Sequence, residues 1–157
     1  MPTEMPTPTP LTIRELTAEA DLRAVFPVVR VLRPRLVDLP MFLDHVRRQS
    51  AEGYVLAAGY VGDKPVVVAG YRLGSTLARG PHLFVDDLVA DPAEQGKGHA
   101  SAMLDWLRGR AVAAGVEKVY LDSRDTAVGF YEQYGFTFLT SKPCWVDAAA
   151  DGPNADR

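Results

Sequence analysis

The segment from Gln95 to Ala100, which reads QGKGHA, constrains the fold of this chain more than any other. It follows a strand-like stretch that ends at Asp91 and Pro92, and it opens a stripe of apolar residues at helical spacing (Ala100, Met103, Leu104, Leu107 and Ala111). The first turn of a helix leaves four amide donors unpaired and carries the positive end of the helix dipole. Because glycines let an anion approach the backbone closely, the segment predicts a pyrophosphate site at a helix N-terminus.

Three other interpretations of these glycines differ in how well the sequence fits them. A tight loop before a helix would use the same glycines without any ligand, and this interpretation stays open. A P-loop is excluded, because it requires Ser or Thr after Gly-Lys and here Gly98 follows Lys97. A dinucleotide-binding fold could use Asp122 after the next strand, but residues 90–94 separate the strand from the glycines and Ser101 replaces the third glycine. It is the weaker fit.

Strand and helix patterns alternate along the rest of the chain and predict a mixed α/β fold built on a single sheet. The other predicted elements are a strand over Leu11–Leu16, a helix capped by Thr17 that Pro27 kinks and Pro34 stops, a helix over Leu39–Ser50, a hairpin of Tyr54–Val61 and Pro65–Tyr71, a Gly-rich connection over Gly74–Gly80, a strand over His82–Ala90, a strand over Val116–Leu121, a helix over Thr126–Tyr134 and a closing strand pair over Thr137–Val146. One domain over residues 11–146 is expected, with disordered tails over 1–10 and 147–157.

Charge and composition exclude several classes of partner. The formal net charge of −3 argues against the basic surface that nucleic-acid binding requires. No apolar run approaches the roughly 18 residues of a membrane span, and the N-terminus lacks a signal sequence, so we expect a cytoplasmic protein.

The three histidines are scattered, which predicts no metal site. The lone Cys144 cannot form an intramolecular disulfide, and we expect it to be buried or half-buried.

Two motifs resemble those of one enzyme family. Residues 88–100 resemble the acetyl-CoA signature of the GNAT superfamily of N-acetyltransferases, Gln/Arg-x-x-Gly-x-Gly/Ala after a hydrophobic strand and a proline. Residues 127–136 resemble its second motif, Ala-x-x-Phe/Leu-Tyr-x-x-x-Gly-Phe, at the expected distance downstream. Gln95 stands where the family often has Arg, and Arg124 where it often has Asn. The resemblance implies a GNAT-like domain with a central, mostly antiparallel sheet flanked by helices, and acetyl-CoA as cosubstrate.

The resemblance also implies residue roles. In this family the neutral amine of an acceptor attacks the acetyl carbonyl directly. Tyr131 would protonate the thiolate that leaves, and a backbone N–H of the strand before the turn would polarise the carbonyl. Any single tyrosine is more often a core residue, and the paired motifs outweigh that alternative here. The implied cofactor-binding residues are Leu88, Val89, Ala90, Gln95, Gly96, Lys97, Gly98, His99, Ala100, Arg124 and Tyr131.

Asp86 and Asp87 lie in an otherwise apolar strand and are the candidates for binding or deprotonating the amine. Because adjacent strand residues point to opposite faces, we expect only one of them to enter a given cavity. The stretch from Val85 to Leu88 is similar to the Ile/Leu-Glu-Asp-Leu/Phe of polyamine-type members, and on that resemblance Asp86 is the base. A solvent-facing or backbone-bonded carboxylate, with a water relay in place of the base, remains the alternative.

The expected acceptor is a primary amine of a small molecule or a peptide, and the paired aspartates hint that it is cationic. Arg33 and Arg35 are interpreted as a solvated basic turn, with the acceptor cleft or a phosphate as the alternative. A non-catalytic, CoA-binding regulatory or interaction module is the competing function. Whether the chain forms a homodimer is left open.

Overall fold

The computed structural model describes residues 10–149, so most of each predicted tail lies outside the described residues. The chain divides into two compact units, one through Leu121 and one from Asp122 onward. Within residues 10–149, no helix is both long and apolar enough to cross a membrane.

The first unit carries all of the strands and most of the helices. Its elements are β1 (Leu11–Leu16), α1 (Glu19–Leu32), α2 (Leu39–Ser50), β2 (Tyr54–Val61), β3 (Lys64–Thr76), β4 (Gly80–Ala90), a 3₁₀ turn (Pro92–Glu94), α3 (His99–Ala113) and β5 (Val119–Leu121). The second unit contains a 3₁₀ turn (Asp125–Ala127) and α4 (Val128–Tyr134).

The five strands form one sheet in the order β1-β2-β3-β4-β5. The first four strands pair antiparallel with their neighbours, and β5 joins β4 in parallel. The prediction of a mixed, mostly antiparallel sheet flanked by helices is therefore confirmed.

Helices cover the two faces of this sheet. Leu56 and Ala58 of β2 and Val68 of β3 belong to a core cluster with residues of α1 and α2. Side chains alternate along a strand, so Ala57 and Ala69 point to the other face, as does Tyr71, whose ring contacts Trp106 of α3 edge-on. The sheet is thus the middle of three layers.

Local chemistry explains where the helices near the site begin and end. The Asp38 side chain accepts a hydrogen bond from the Met41 N–H at 2.9 Å, and Pro40 lies in the first turn of α2. Helix α1 passes through Pro27 and ends just before Pro34. Its N-cap is Ala18, without a side-chain hydrogen bond, so the cap predicted at Thr17 is wrong.

Strand β4 contains one residue more than the facing part of β3. Gly70 pairs with Asp87 and Tyr71 pairs with Val85, which leaves Asp86 without a partner in β3. Such a β-bulge interrupts the alternation of side chains between faces.

Two predictions about strands and one about the thiol are wrong. Strands β3 and β4 continue through most of the region expected to be a Gly-rich connection, because Thr76 and Gly80 still pair. Residues 137–146 form no strand in the structure. Pro143 has no N–H to donate to a neighbouring strand, and the Trp145 side chain is exposed instead of packing against the sheet. Cys144, in the same segment, is exposed.

Candidate active site

The Gly-rich turn between β4 and α3 has the backbone geometry of an anion-binding turn. Gly96 and Gly98 have φ angles of 81° and 80°, which favour glycine, and a Cβ at either position would meet no atom within 4 Å. The Ala102 N–H donates to the Gly98 carbonyl at 3.0 Å as α3 begins. The N–H groups of residues 99–101 come before that bond, in the first turn of α3, where a helix supplies no partner for them. These features fit a pyrophosphate.

Glu94 holds the side chains around this turn. Its carboxylate accepts hydrogen bonds from Lys97 Nζ at 2.8 Å and from Lys64 Nζ at 3.3 Å, and His99 Nε2 lies 3.4 Å away. The hydrogen bonds from Lys97 and Lys64 lower the pKa of Glu94 to about 2. The side chains of Lys97 and His99 therefore contact Glu94, a partner that the sequence motif did not indicate.

Strands β4 and β5 separate beside the turn. They pair only through Leu83, Phe84 and Val85, whereas β4 continues to Ala90. Residues 87–90 are paired with β3 but have no partner in β5, so one edge of this stretch offers backbone groups to an extended ligand. Leu88, Val89 and Ala90, the predicted contacts of the cosubstrate, lie on this stretch.

A cavity of about 350 Å³ lies between the C-terminal end of α1, α2 and the strands β2 and β4. Its apolar residues come from the two helices and the turn between them, whereas β2 supplies Tyr54 and β4 supplies the two aspartates. The lining residues are Val29, Arg33, Arg35, Leu36, Met41, Phe42, His45, Val46, Gln49, Tyr54, Asp86 and Asp87.

Asp87 is held by two partners inside the cavity. Its Oδ1 accepts a hydrogen bond from Arg33 Nε at 2.7 Å, and its Oδ2 accepts one from the Tyr54 hydroxyl at 2.6 Å. Burial and the neighbouring carboxylate raise the pKa of Tyr54 well above its usual value, so the phenol keeps its proton and donates. The Tyr54 ring reaches Asp87 by crossing over Gly70, where any Cβ would collide with its hydroxyl.

Asp86 is less completely bonded. Arg72 Nε donates to Asp86 Oδ2 at 3.1 Å, and the same guanidinium donates to Gln49 Oε1 at 3.3 Å. Within residues 10–149, Oδ1 of Asp86 accepts no hydrogen bond. Burial raises the pKa of Asp86, although Arg72 opposes the shift. The group is therefore a carboxylate with a free oxygen and a higher proton affinity than an ordinary aspartate.

The structure places both aspartates at the same cavity, contrary to the expectation that only one could enter it. The bulge at Asp86 is the reason, because it breaks the alternation on which the expectation rested. Arg33 was interpreted as a solvated residue, but it bonds Asp87 and also donates to the Asp86 carbonyl at 2.8 Å. Arg33 therefore lines this cavity and is held against β4.

Tyr54, Arg72, Gln49 and Gly70 were not singled out from the sequence. They lie 14 to 38 positions before the aspartates, and no local spacing connects them. A tyrosine at the start of a strand and an arginine near the end of another carry no signal of a shared site.

The second unit contains the other two predicted site residues. Tyr131 of α4 is buried, and its ring contacts Phe130 and Phe136 edge-on. Burial raises the pKa of the Tyr131 phenol. Its carbonyl accepts hydrogen bonds from the N–H groups of Gly135 and Phe136, which close the end of α4. Arg124 precedes the 3₁₀ turn, and the Ala127 N–H donates to its carbonyl at 2.9 Å.

Comparison with known proteins decides the family. Residues 19–136 match the family model described as "Acetyltransferase (GNAT) family". The chain belongs to the GNAT acetyltransferase family. It is an acyltransferase that uses acetyl-CoA as cosubstrate, and the resemblance that the two motifs indicated is confirmed.

Individual relatives agree with this assignment. This GNAT protein is 29% identical over 139 residues to "Uncharacterized N-acetyltransferase YhdJ" of Bacillus subtilis, covering 83% of this chain and 97% of that one. The crystal structure of an acetyltransferase from Trypanosoma brucei is 26% identical, with a TM-score of 0.70 and coverage of 88% and 99%. The aminoglycoside N-acetyltransferase AAC(6')-Iy, solved with CoA, is 12% identical, with a TM-score of 0.79 and coverage of 92% and 99%. The last likeness shows the fold alone.

Proposed function

We propose that this GNAT enzyme transfers the acetyl group of acetyl-CoA to a primary amine of a small molecule or a peptide. The observation that carries the proposal is the cavity that holds both Asp86 and Asp87, on the strand that leads into the Gly-rich turn. An amine that reaches the cavity is protonated at neutral pH and must lose that proton before it can attack.

Asp86 is the proposed base. Its unbonded Oδ1 can accept a hydrogen bond from the incoming ammonium and then its proton. Burial, which raises the pKa of this carboxyl, favours the transfer because it increases the affinity of the carboxylate for a proton. The bonds from Arg72 to Asp86 and to Gln49 keep the carboxylate in one orientation.

Asp87 has a positioning role in this proposal. Both of its oxygens are already bonded, so it ties Arg33 at the end of α1 to Tyr54 at the start of β2. These three side chains fix one side of the cavity and leave the free lone pair to Asp86.

Acetyl-CoA supplies the acetyl thioester. The N–H groups of the Gly-rich turn would hold its pyrophosphate, and the open edge of β4 over residues 88–90 would hold its extended arm and polarise the carbonyl. Tyr131 is proposed to return a proton to the sulfur that leaves. Support for this role is the second family motif and the raised pKa, which keeps the phenol protonated at neutral pH.

A CoA-binding module without turnover is the second candidate. One observation favours it: both carboxylates in the cavity already have an arginine partner, Arg33 or Arg72. A base that is permanently ion-paired would be a poor proton acceptor.

An acetyl-transfer screen separates the two candidates. The full-length protein is incubated with acetyl-CoA and with polyamines, amino acids, aminoglycosides or peptides, and CoA release is followed with a thiol reagent while mass spectrometry detects the acetylated product. We expect CoA release that depends on the amine and yields a product heavier by one acetyl group. Saturable acetyl-CoA binding without product from any amine would support the module instead.

A further inference from the structure

We infer that the acceptor carries an anionic group in addition to its amine, and that Arg35 binds that anion. The inference rests on the proposed amine acetylation and specifies the class of its substrate. It follows from the charges that line the cavity and from which of them already have partners.

The charges of the cavity do not favour a polycation. Two arginines and two aspartates line it and cancel one another, and Arg72 bonds Asp86 from just outside the lining. Glu52 also pairs with Arg72, at 3.8 Å, so the charges around the cavity are close to balanced even though the whole chain has a formal net charge of −3. An acceptor with several ammonium groups would find one free carboxylate oxygen and three guanidinium groups nearby.

Arg35 is the charged lining residue that has no partner. Arg33 is bonded to Asp87 and Asp86 to Arg72, whereas Arg35 makes no ion pair or hydrogen bond with any other residue among 10–149. It lies in the turn between α1 and α2, and His45 of α2, also without a partner in the described part of the chain, lines the same cavity. A guanidinium with all five donors available is suited to a carboxylate or a phosphate.

The cavity also has an apolar part. Leu36, Met41, Phe42 and Val46 line the cavity along the turn and α2. A ligand that placed its amine on Asp86 and its anion on Arg35 would lay an apolar body against these side chains. Amino acids with aliphatic or aromatic side chains combine an amine, an anion and an apolar body, and phosphorylated amines with a nonpolar spacer do so as well.

Binding to the CoA-saturated protein tests the inference without any need for turnover. Calorimetric titrations compare leucine with leucinamide and 3-methylbutylamine, which share its apolar body but lack the carboxylate. A second set compares O-phosphoethanolamine with ethanolamine, so that carboxylate and phosphate are distinguished, and spermidine serves as the polycation. We expect leucine or O-phosphoethanolamine to bind about tenfold more tightly than its counterparts that lack the anionic group.

The Arg35→Ala variant isolates the residue. It should lose about tenfold in affinity for the anionic amine while its affinity for leucinamide and 3-methylbutylamine stays the same, and Arg35→Lys should lose less. Arg30→Ala, which removes an exposed arginine of α1 outside the lining, is the control and should change neither. Because each amine is compared with itself across the variants, differences in basicity between the amines do not affect the result.

The outcomes distinguish failure of this inference from failure of the proposed function. The inference would be overturned if spermidine or the amines without an anionic group bound as well as those that carry one. It would also be overturned if no amine with an anionic group bound at all, or if Arg35→Ala left the affinity unchanged. Tight, Arg35-dependent binding without acetylation of any amine would leave the inference standing and refute the proposed acetyl transfer.

Discussion

Asp86 and Asp87 are adjacent in the sequence, yet their surroundings give them different chemistry. Asp87 uses both oxygens to bond Arg33 and Tyr54, and Asp86 keeps one oxygen free. A general base needs an available lone pair and a proton affinity suited to its task. Both requirements favour Asp86, whose pKa is raised by burial.

Asp86→Asn is expected to lower kcat/KM most at low pH, by about 100-fold, and less as pH rises, because a positioned base contributes roughly 10²-fold to 10⁴-fold. The amide cannot take a proton, whereas at high pH part of the acceptor amine is already neutral. Since the pKa of Asp86 is raised, the wild-type kcat/KM should begin to fall, as pH is lowered, at a higher pH than the usual pKa of an aspartate. The measurement is kcat/KM against pH, together with acetyl-CoA affinity, which should not change.

Asp87→Asn is the matched control for this variant. It removes a charge from the same cavity but disrupts the bonds to Arg33 and Tyr54, so thermal stability should fall and activity should decline evenly across pH. An even loss with weakened folding in Asp86→Asn itself would make Asp86 a structural carboxylate.

Tyr131→Phe removes one hydroxyl and is expected to lower kcat by about tenfold or more without weakening acetyl-CoA binding, because a general acid commonly contributes at least 10²-fold and water can replace part of it. Tyr134→Phe, the same change on the same helix, should leave kcat near the wild-type value. Single-turnover rates with a good acceptor provide the measurement. An undiminished rate in Tyr131→Phe would assign this tyrosine to packing.

At the scale of the element, Gly70 in β3 connects strand packing to the site. Its φ is ordinary, so the glycine is required by space rather than by backbone conformation. The Tyr54 ring lies where a Cβ would be, and its hydroxyl bonds Asp87 of the next strand. One missing side chain on the central strand therefore permits a bond across it.

Gly70→Ala and Gly109→Ala are expected to change stability in opposite directions. At Gly70 the new methyl displaces Tyr54 and breaks its bond to Asp87, which should cost about 1–3 kcal/mol. At Gly109, in the exposed middle of α3, a Cβ meets nothing within 4 Å, and Ala should stabilise by about 0.5–1 kcal/mol through helix propensity. Urea unfolding of both variants measures the difference. Unchanged or increased stability of Gly70→Ala would refute the steric role of Tyr54.

Much of the element order could be predicted from the sequence, for reasons that differ between elements. Helix α2 has the predicted bounds because Asp38 caps it and its apolar face is regular. The hairpin of β2 and β3 was predicted because Gly62 and Asp63 form its turn. The bulge at Asp86 could not be predicted, since one extra residue in a strand leaves no compositional trace. Nor could the bond of Arg33 to Asp87, which closes a separation of 54 positions.

At the scale of the whole molecule, ligand binding and folding are linked. The Gly-rich turn and the open edge of β4 belong to the same compact unit, so occupancy of both by acetyl-CoA should stabilise that unit as a whole. A ligand that binds the folded chain alone raises its free energy of unfolding in proportion to the logarithm of its concentration.

Acetyl-CoA at 100 times its dissociation constant is expected to add about 2.7 kcal/mol and to raise Tm by about 5–10 °C, whereas NADH should leave Tm unchanged. Gly98→Glu should abolish the rise, because its side chain brings a negative charge into the turn. Gly115→Glu is the control: its φ of 75° imposes similar strain and the same charge at the other end of α3, and it should keep the rise. Differential scanning fluorimetry with and without ligand makes the measurement for each variant.

The extra residue of β4 makes the candidate site depend on the length of a strand as well as on its chemistry. If Asp86 were deleted, β4 could pair with β3 in regular alternation and keep all of its hydrogen bonds to that strand. Loss of a residue between Gly80 and Leu83 would instead shift that end of the strand by one position and turn its inward side chains to the other face. Natural variation in this strand should therefore consist of substitutions and rarely of insertions or deletions, so that the residue count of β4 is inherited more faithfully than the identity of its side chains.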